Sequence, residues 1–579
     1  MKYPILSELA TSRQLIDAFG GYNHNLRIGD GEFYEMKNLS SNDYPVLSPR
    51  PPRGVYATPG NPQGMISKDA LCYVDGGDFI INKDRVSMGL TVDDKPKTLI
   101  SMGAYVIIMP DKKYINTSNT AEYGPIEAHV TTTAPVKFSP CKLDGAEYDN
   151  IITRAIEPDN PDNGTLWLDT SSTPNALKQY SATSGMWVSI ATTYVKIYSA
   201  GIGIPFSEGD GVTITGIESA KLADLNSTMV IQAKSDNFIV VTGIIDEAAE
   251  QEAAISVKRQ MPEMDFIIES GNRLWGCKYG VALNGEVVNE IYASKLGDFK
   301  NWNCFMGIST DSYVVTVGTD GEFTGAITHL GYPLFFKETC LHKVYGNFPA
   351  NFQILTTACR GVQKGCERSL AIVNETLFYK ARSAVCAYDG SLPVEMSSAL
   401  GDMSYSNAVA GGFGNKYYIS MKDANGKYSL FVYDTIRGMW HREDETQVVQ
   451  FCNCRGDLYY IDYADKQIKT VRGTGVLDTS KLKWEAVTGI IGTDSPDKKY
   501  ISRLDVRLSL TYGARVFFFI QYDSIEGWEQ LFTMVGTTLK SFSVPIKPKR
   551  CDHLRLKIVG EGDAKIFSIC KTIEQGSDI

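Results

Sequence analysis

Four short stretches decide the fold: GYPLFFKET (331–339), NETLFYKAR (374–382), GNKYYISMK (414–422) and RGDLYYIDY (455–463). Each reads as a turn-forming Gly or Asn with a polar residue, then three or four apolar or aromatic residues, then a charge. Their strand cores, Leu334, Leu377, Tyr417 and Leu458, follow one another at intervals of 43, 40 and 41 residues. A period of about 40–45 residues with about four strands per unit is that of a β-propeller blade. One four-stranded sheet alone buries too little apolar surface, whereas sheets stacked around an axis cover both faces of each. RLWGCKY from Arg273, AYVIIMPDKKYIN from Ala104 and ALCYVDGGDFIINKD from Ala70 are further copies. A stack of β-sandwich domains is the competing arrangement, since it also gives short strands at close spacing.

Outward from the repeat, the chain reads as β almost throughout. Tyr (31) and Phe (24) are plentiful, and 52 Gly punctuate short apolar runs such as Ala104–Met109, Ser429–Tyr433 and Arg515–Tyr522. Turn signals sit between them at Asp75-Gly76-Gly77, Asp389-Gly390 and Asn425-Gly426. Helix signals are scarce, and the best is Thr11–Phe19, with Leu15, Ile16 and Phe19 on one face and a Gly20-Gly21 stop. Between Ile126 and Met261 the repeat is broken. IEPDNPDNG is a linker there, GTLWLDTSSTPNALKQYSATSGMWVSI (164–190) a small unit with Trp167, Tyr180 and Trp187 as its core, and GDGVTITGI the start of a second module. From Trp484 the strands lengthen and alternate apolar with charged residues, as half-buried antiparallel strands do.

The expected architecture is therefore all-β: a β-propeller of about six to eight blades, interrupted by small β modules, with a C-terminal β-sandwich. The expected division is 1–23, an N-terminal extension with a short helix; 24–125, the first part of the propeller; 126–261, inserted small β modules; 262–475, the second part of the propeller; and 476–579, the β-sandwich.

Composition narrows the function classes. With 43% hydrophobic and 21% charged residues among 579, the chain is neither disordered, collagenous nor a coiled coil. Asp and Glu total 67 against 57 Lys and Arg, a net charge of −10, so a uniformly basic nucleic-acid surface is not expected. No apolar run approaches the length of a membrane helix, about 18 residues or more. MKYPILSELATSR has no long apolar core, so no signal peptide is expected, and the 12 cysteines read as reduced thiols of a protein made in a cytoplasm.

The search for chemistry yields no motif. The six histidines, at 24, 129, 329, 342, 441 and 553, show no metal-ligand spacing. Cys452 and Cys454 lack a second donor pair. Lys427 after Gly426 belongs to a hairpin turn, no G-x-S-x-G elbow appears, and the basic PIKPKR (545–550) reads as a solvated loop. Carboxylates are abundant, yet nothing recommends a particular pair. The expectation is no catalytic, cofactor-binding or metal residue, no cofactor, and no enzymatic activity.

GNRLWGCKYG (271–280) followed by NEIYASKLGDFKNW (289–302) resembles a segment of the tail proteins of tailed bacteriophages. So do FGGYNHNLRIGDGEFYEMKNLSSNDYPVLSPRPPRG (19–54), GTLWLDTSSTPNALKQY (164–180) and RCDHLRLKIVGEGDAKIFSI (550–569). Together they resemble packaged-DNA stabilisation proteins, the tail hub or nozzle below the portal. That resemblance implies a structural virion protein, a propeller subunit that rings the DNA exit channel as a hexamer or dodecamer and retains packaged DNA. Its implied partners are copies of itself, portal or adaptor proteins, tail fibre or needle proteins, and packaged DNA met without sequence-specific contact, with no membrane. Its implied location is the virion tail, assembled in the host cytoplasm. The alternatives are a receptor-binding or tail-fibre protein, a propeller glycosidase or lyase acting on surface polysaccharide, and a sugar-binding propeller.

Overall fold

Each of the seven repeat stretches forms the second strand of an antiparallel meander, of four strands in six cases and, for Asp457–Asp462, of three strands extended by two from elsewhere in the chain. These second strands are Leu71–Asp75, Tyr105–Met109, Arg273–Val281, Tyr332–Lys337, Thr376–Lys380, Lys416–Asp423 and Asp457–Asp462. They are apolar without alternation because both faces are covered. Leu334, Phe335, Phe336, Leu377, Tyr379, Tyr417, Ile419 and Leu458 are all fully buried, as in any strand sandwiched between layers. The computed structural model describes residues 11–93, 95–133, 135–282, 285–473, 476–477, 482–493, 497–525, 527–536 and 538–575. The leader reading of the first ten residues lies outside these. The described chain is nearly all β and divided among many small sheets, with a few 3-10 turns. No helix among the described residues is long and apolar enough to cross a membrane.

The chain divides into two compact units, one of residues 1–97, 336–341 and 357–579, the other of 98–335 and 342–356. In the first unit four meanders pack through their first strands. Ala371–Val373 lies against Tyr405–Phe413, that strand against Val448–Cys454, and that in turn against Pro62–Ser67. Tyr418, Leu430, Phe451, Leu458 and Tyr460 fill one of these junctions. Met65, Leu71, Cys454, Ile461 and Ile468 fill the next. The 448–470 meander is extended by Gly54–Ala57, from near the other end of the chain, which pairs with Ile468–Thr470 on one side and Val476–Leu477 on the other.

One side chain ties two of the first strands together. The Gln450 amide accepts from the Met65 N–H at 2.8 Å and donates to the Met65 carbonyl at 2.9 Å, taking the place of a ladder partner. Gln450→Leu leaves both main-chain groups unpaired in a buried junction. We expect a loss of about 2–4 kcal/mol, read as a lower urea midpoint with unchanged slope. A midpoint equal to that of the parent chain contradicts this role.

The N-terminal helix expected over 11–19 is not formed. Thr11–Ile16 is an edge strand paired in register with the C-terminal strand, from Thr11 opposite Glu574 to Ile16 opposite Ile569. A two-turn helix is marginal on its own, and a free sheet edge offers every backbone group a partner. The expected boundary near 476 is also crossed by a sheet. The 405–444 meander continues through Gly21–Tyr22 and Glu32–Lys37 into Lys483–Thr488, Leu554–Glu561, Arg515–Tyr522 and Glu529–Val535, ten strands in all. A second sheet orders Thr11–Ile16, Ala564–Gln575, Lys499–Leu510 and Lys540–Val544. Gly560 is required where it stands: a Cβ there would meet the Trp484 ring at 2.0 Å.

In the second unit, Thr98–Met102 packs on Phe266–Ser270, and that strand on Phe323–His329. Between the first two of these meanders the chain builds an eight-stranded sheet around Phe138, Val195, Ile214, Ile239 and Val257. It also builds a four-stranded sheet in which Ile151–Arg154 runs parallel to Leu166–Asp169. The core of this small sheet is Leu166, Leu168 and Leu177; of the expected Trp167, Tyr180 and Trp187, Trp167 is buried and the other two are half-buried. Those three share the opposite face, with ring centroids 5.3 Å apart for both the Trp167–Trp187 and the Tyr180–Trp187 pair, because alternate strand positions face opposite ways.

Candidate functional site

Three first strands of the first unit carry a β-bulge near their N-terminal ends: between Pro62 and Gly64, between Ser406 and Val409, and between Val448 and Gln450. Bulges bend a strand and re-aim its side chains, and they concentrate beside working sites. The three bulged ends line one cleft of about 590 Å³. Asn407, at the middle bulge, holds φ at +47°, a left-handed conformation that Asn tolerates better than most residues. Gln63, only 2% exposed, donates to the Asp93 main chain and carboxylate, while its Oε1 has no hydrogen-bond partner among the described residues.

A 3-10 turn, Glu367–Ser369, brings opposite charges into the cleft wall. The turn is fixed from beneath. Ser369 Oγ donates to the Cys366 carbonyl at 2.6 Å, and the hydroxyl of the fully buried Tyr417 donates to the Ser369 carbonyl at 2.8 Å. Arg368 donates to the Val449 carbonyl at 3.1 Å, and its burial lowers its pKa against the opposing pull of Glu367. The Glu367 carboxylate takes no hydrogen bond or ion pair among the described residues. The other acid in the wall, Asp462, is fully engaged: it accepts from Lys469 Nζ at 2.8 Å and from the Ala464 N–H at 3.0 Å. Asn61, Gln447, Tyr428 and Lys466 complete a lining rich in donors and acceptors.

The residues weighed from the sequence lie elsewhere. His24 stacks on Tyr34 at 4.1 Å, His342 bridges Thr319 and Thr356, and His441 is buried. Lys427 pairs with Glu445 across a hairpin. Burial pushes the thiols of Cys72 and Cys452 up to about 12. Among the described residues no three His, Cys, Asp or Glu side chains could hold a metal. Glu367 and Asp462 were missed because 95 residues separate them in an acid-rich chain. The only local signal was the Gly365-Cys366-Glu367-Arg368 turn between two repeats.

These elements define a protein of repeated antiparallel meanders with a cleft of mixed polar and apolar lining at the bulged ends of their first strands. No family model and no curated protein matches the chain. Solved structures similar to it include an exo-β-1,3-galactanase of Phanerochaete chrysosporium bound to β-1,3-galactotriose, at 8% identity and a TM-score of 0.20, covering 53% of this chain and 94% of that one. An engineered GH43 glycoside hydrolase with endo-xylanase and exo-arabinofuranosidase activity is 9% identical, covering 54% and 96%, at 0.20. A Trypanosoma rangeli sialidase in complex with sialic acid is 8% identical, covering 98% and 96%, at 0.19. Likenesses this distant assign neither architecture nor activity to this chain.

They nevertheless correct two expectations. Those three are glycoside hydrolases and a sialidase. The structural tail-hub function and the absence of enzymatic activity are therefore not carried further. The physical reason is visible in the residues behind the resemblance: Leu274, Trp275, Cys277, Ile291 and Phe299 are core residues. They report packing, and a packing pattern is shared by proteins of unrelated function.

Proposed function

We propose that the meanders are the blades of a β-propeller and that the protein acts on glycans in the cleft framed by the bulged first strands of the first unit. The observation that carries this reading is the contrast between the two acids of the cleft wall, Glu367 unpaired and Asp462 held by Lys469. Glycosidic cleavage needs one carboxyl group free to deliver a proton and one carboxylate that stays ionised. Glu367 suits the first role, protonating the leaving oxygen. Asp462, with its lysine partner, suits the second. Sugar hydroxyls both donate and accept, and Asn61, Asn407, Gln447, Arg368 and Tyr428 offer both kinds of partner.

A panel of neutral and acidic polysaccharides, assayed for new reducing ends, tests this. The parent chain is expected to cleave at least one class, and Glu367→Gln to lower that rate about a hundredfold or more with an unchanged melting temperature. No cleavage of any glycan, or a Glu367→Gln variant as active as the parent chain, contradicts the assignment.

A further inference from the structure

A second constellation of reactive groups lies in the same unit, apart from the cleft. The strand Arg515–Tyr522 ends in a turn in which Asp523 and Ser524 both hold φ at +53°. Left-handed backbone at two successive non-glycine residues costs energy and persists only where the surroundings impose it. Here Asp523 imposes it. Its Oδ1 accepts from the Asp552 N–H at 2.6 Å and the His553 N–H at 3.3 Å, and its own N–H donates to the His553 carbonyl at 2.9 Å. The turn is thereby clamped onto 552–553, and three side chains come into line. Ser524 Oγ lies 2.7 Å from His553 Nε2, and His553 Nδ1 lies 2.8 Å from Asp552 Oδ2.

The chemistry of that line is directional. A carboxylate only accepts, so Asp552 holds the imidazole proton on Nδ1 and leaves Nε2 as the acceptor facing the serine hydroxyl. A hydroxyl whose proton can pass to a positioned imidazole, itself oriented by a carboxylate, is an activated nucleophile. The strained turn presents Ser524 at the surface, where a bulky electrophile can reach it.

We propose that Ser524, His553 and Asp552 form a serine-nucleophile centre that hydrolyses esters of small acyl groups carried on an anionic polymer. Ser524 Oγ adds to the ester carbonyl carbon as its proton passes to His553 Nε2. The bond from that carbon to the alcohol oxygen breaks, and the alcohol leaves with the proton. Water, deprotonated by the same nitrogen, then attacks the acyl-serine, the carboxylic acid departs, and Ser524 regains its proton.

The substrate class follows from the surroundings. His553 and Asp552 are 22% and 59% exposed, so the site is open and suits an ester projecting from a larger molecule. The adjoining loop carries Lys547, Lys549 and Arg550. Tyr522 donates its hydroxyl to the Lys547 carbonyl, and Lys549 Nζ lies 5.1 Å from the Tyr522 ring centre. That places the Lys549 ammonium beside the serine turn on a chain that is acidic overall.

The test treats the full chain with a fluorophosphonate and locates the modified peptide, then follows hydrolysis of p-nitrophenyl acetate and acetate release from acetylated polygalacturonate and acetylated xylan. Expected are a label on Ser524, a drop in ester hydrolysis of about a hundredfold in Ser524→Ala and His553→Ala, and faster release from the acidic polymer. The fluorophosphonate label and p-nitrophenyl acetate hydrolysis involve no glycan, which keeps this proposal separate from the glycan cleft. The label needs no variant, so it decides even if a substitution disturbs the turn. A label elsewhere, or Ser524→Ala hydrolysing esters like the parent chain, overturns the nucleophile. Equal release from both polymers overturns the substrate class.

Discussion

Lowering the pH from 7 to 4 is expected to remove about 3 kcal/mol of stability through His441 alone. His441 sits in the strand Met439–Asp444 and is 4% exposed. Burial, with repulsion from Lys416 and Arg437 and only partial relief from Asp434, drops its pKa from 6.5 to about 3. The folded chain thus refuses a proton that the unfolded chain accepts. Above 6.5 neither state is protonated there and the full stability is present. Below it the unfolded state gains about 1.4 kcal/mol per pH unit, until the folded histidine also titrates near 3. Asp444, held near 2 by Arg53 and Arg50 against its burial, adds its own loss only below the ordinary aspartate range. Urea unfolding at pH 7, 5 and 4 reads the slope, and His441→Gln should flatten most of it. A parent chain equally stable at pH 7 and 4 would mean that the imidazole charges without penalty.

Glu443→Ala is expected to cost about 3–5 kcal/mol, the largest loss from any single polar side chain considered. Arg53 Nη2 lies 2.7 Å from Glu443 Oε2 and Nη1 3.0 Å from Asp444 Oδ2. Arg50 reaches the same two acids at 3.6 and 3.3 Å. All four side chains are at most 16% exposed, so two arginines and two acids balance one another in a nearly dry junction. Deleting Glu443 leaves two guanidinium groups against one carboxylate. The arginines sit just ahead of Gly54–Ala57, so the same change loosens the strand that completes the 448–470 meander. Arg53→Met combined with Glu443→Leu should recover much of the loss, since a buried pair replaced as a pair gives up little. Denaturant midpoints of the two single variants and the double variant check this. A Glu443→Ala change below about 1 kcal/mol would place the network among ordinary surface pairs.

What could be read in the sequence follows from how each part is buried. The second strands were legible because covering both faces forces unbroken apolar runs such as Leu334-Phe335-Phe336 and Leu377-Phe378-Tyr379. The pattern at Leu15, Ile16 and Phe19 fits a helix and a strand equally at that length, and the deciding partner, Ile569–Glu574, lies at the other end of the chain. Trp167, Tyr180 and Trp187 drew attention by size, while Leu166, Leu168 and Leu177 on the other face make the core of that sheet. The candidate sites were illegible for the same reason as the edge strand. Glu367 and Asp462 line one cleft through the packing of meanders, and Ser524 finds His553 at the end of a neighbouring strand, 29 residues away in sequence.

A crystal structure of the Glu367→Gln variant soaked with an oligosaccharide from the cleaved class tests the central claim most directly. The sugar should lie between the bulged strand ends, with the glycosidic oxygen against the residue-367 amide and hydroxyls bonded to Arg368, Asn407 and Gln447. Ordered sugar on another surface, with this cleft holding only water, would contradict it.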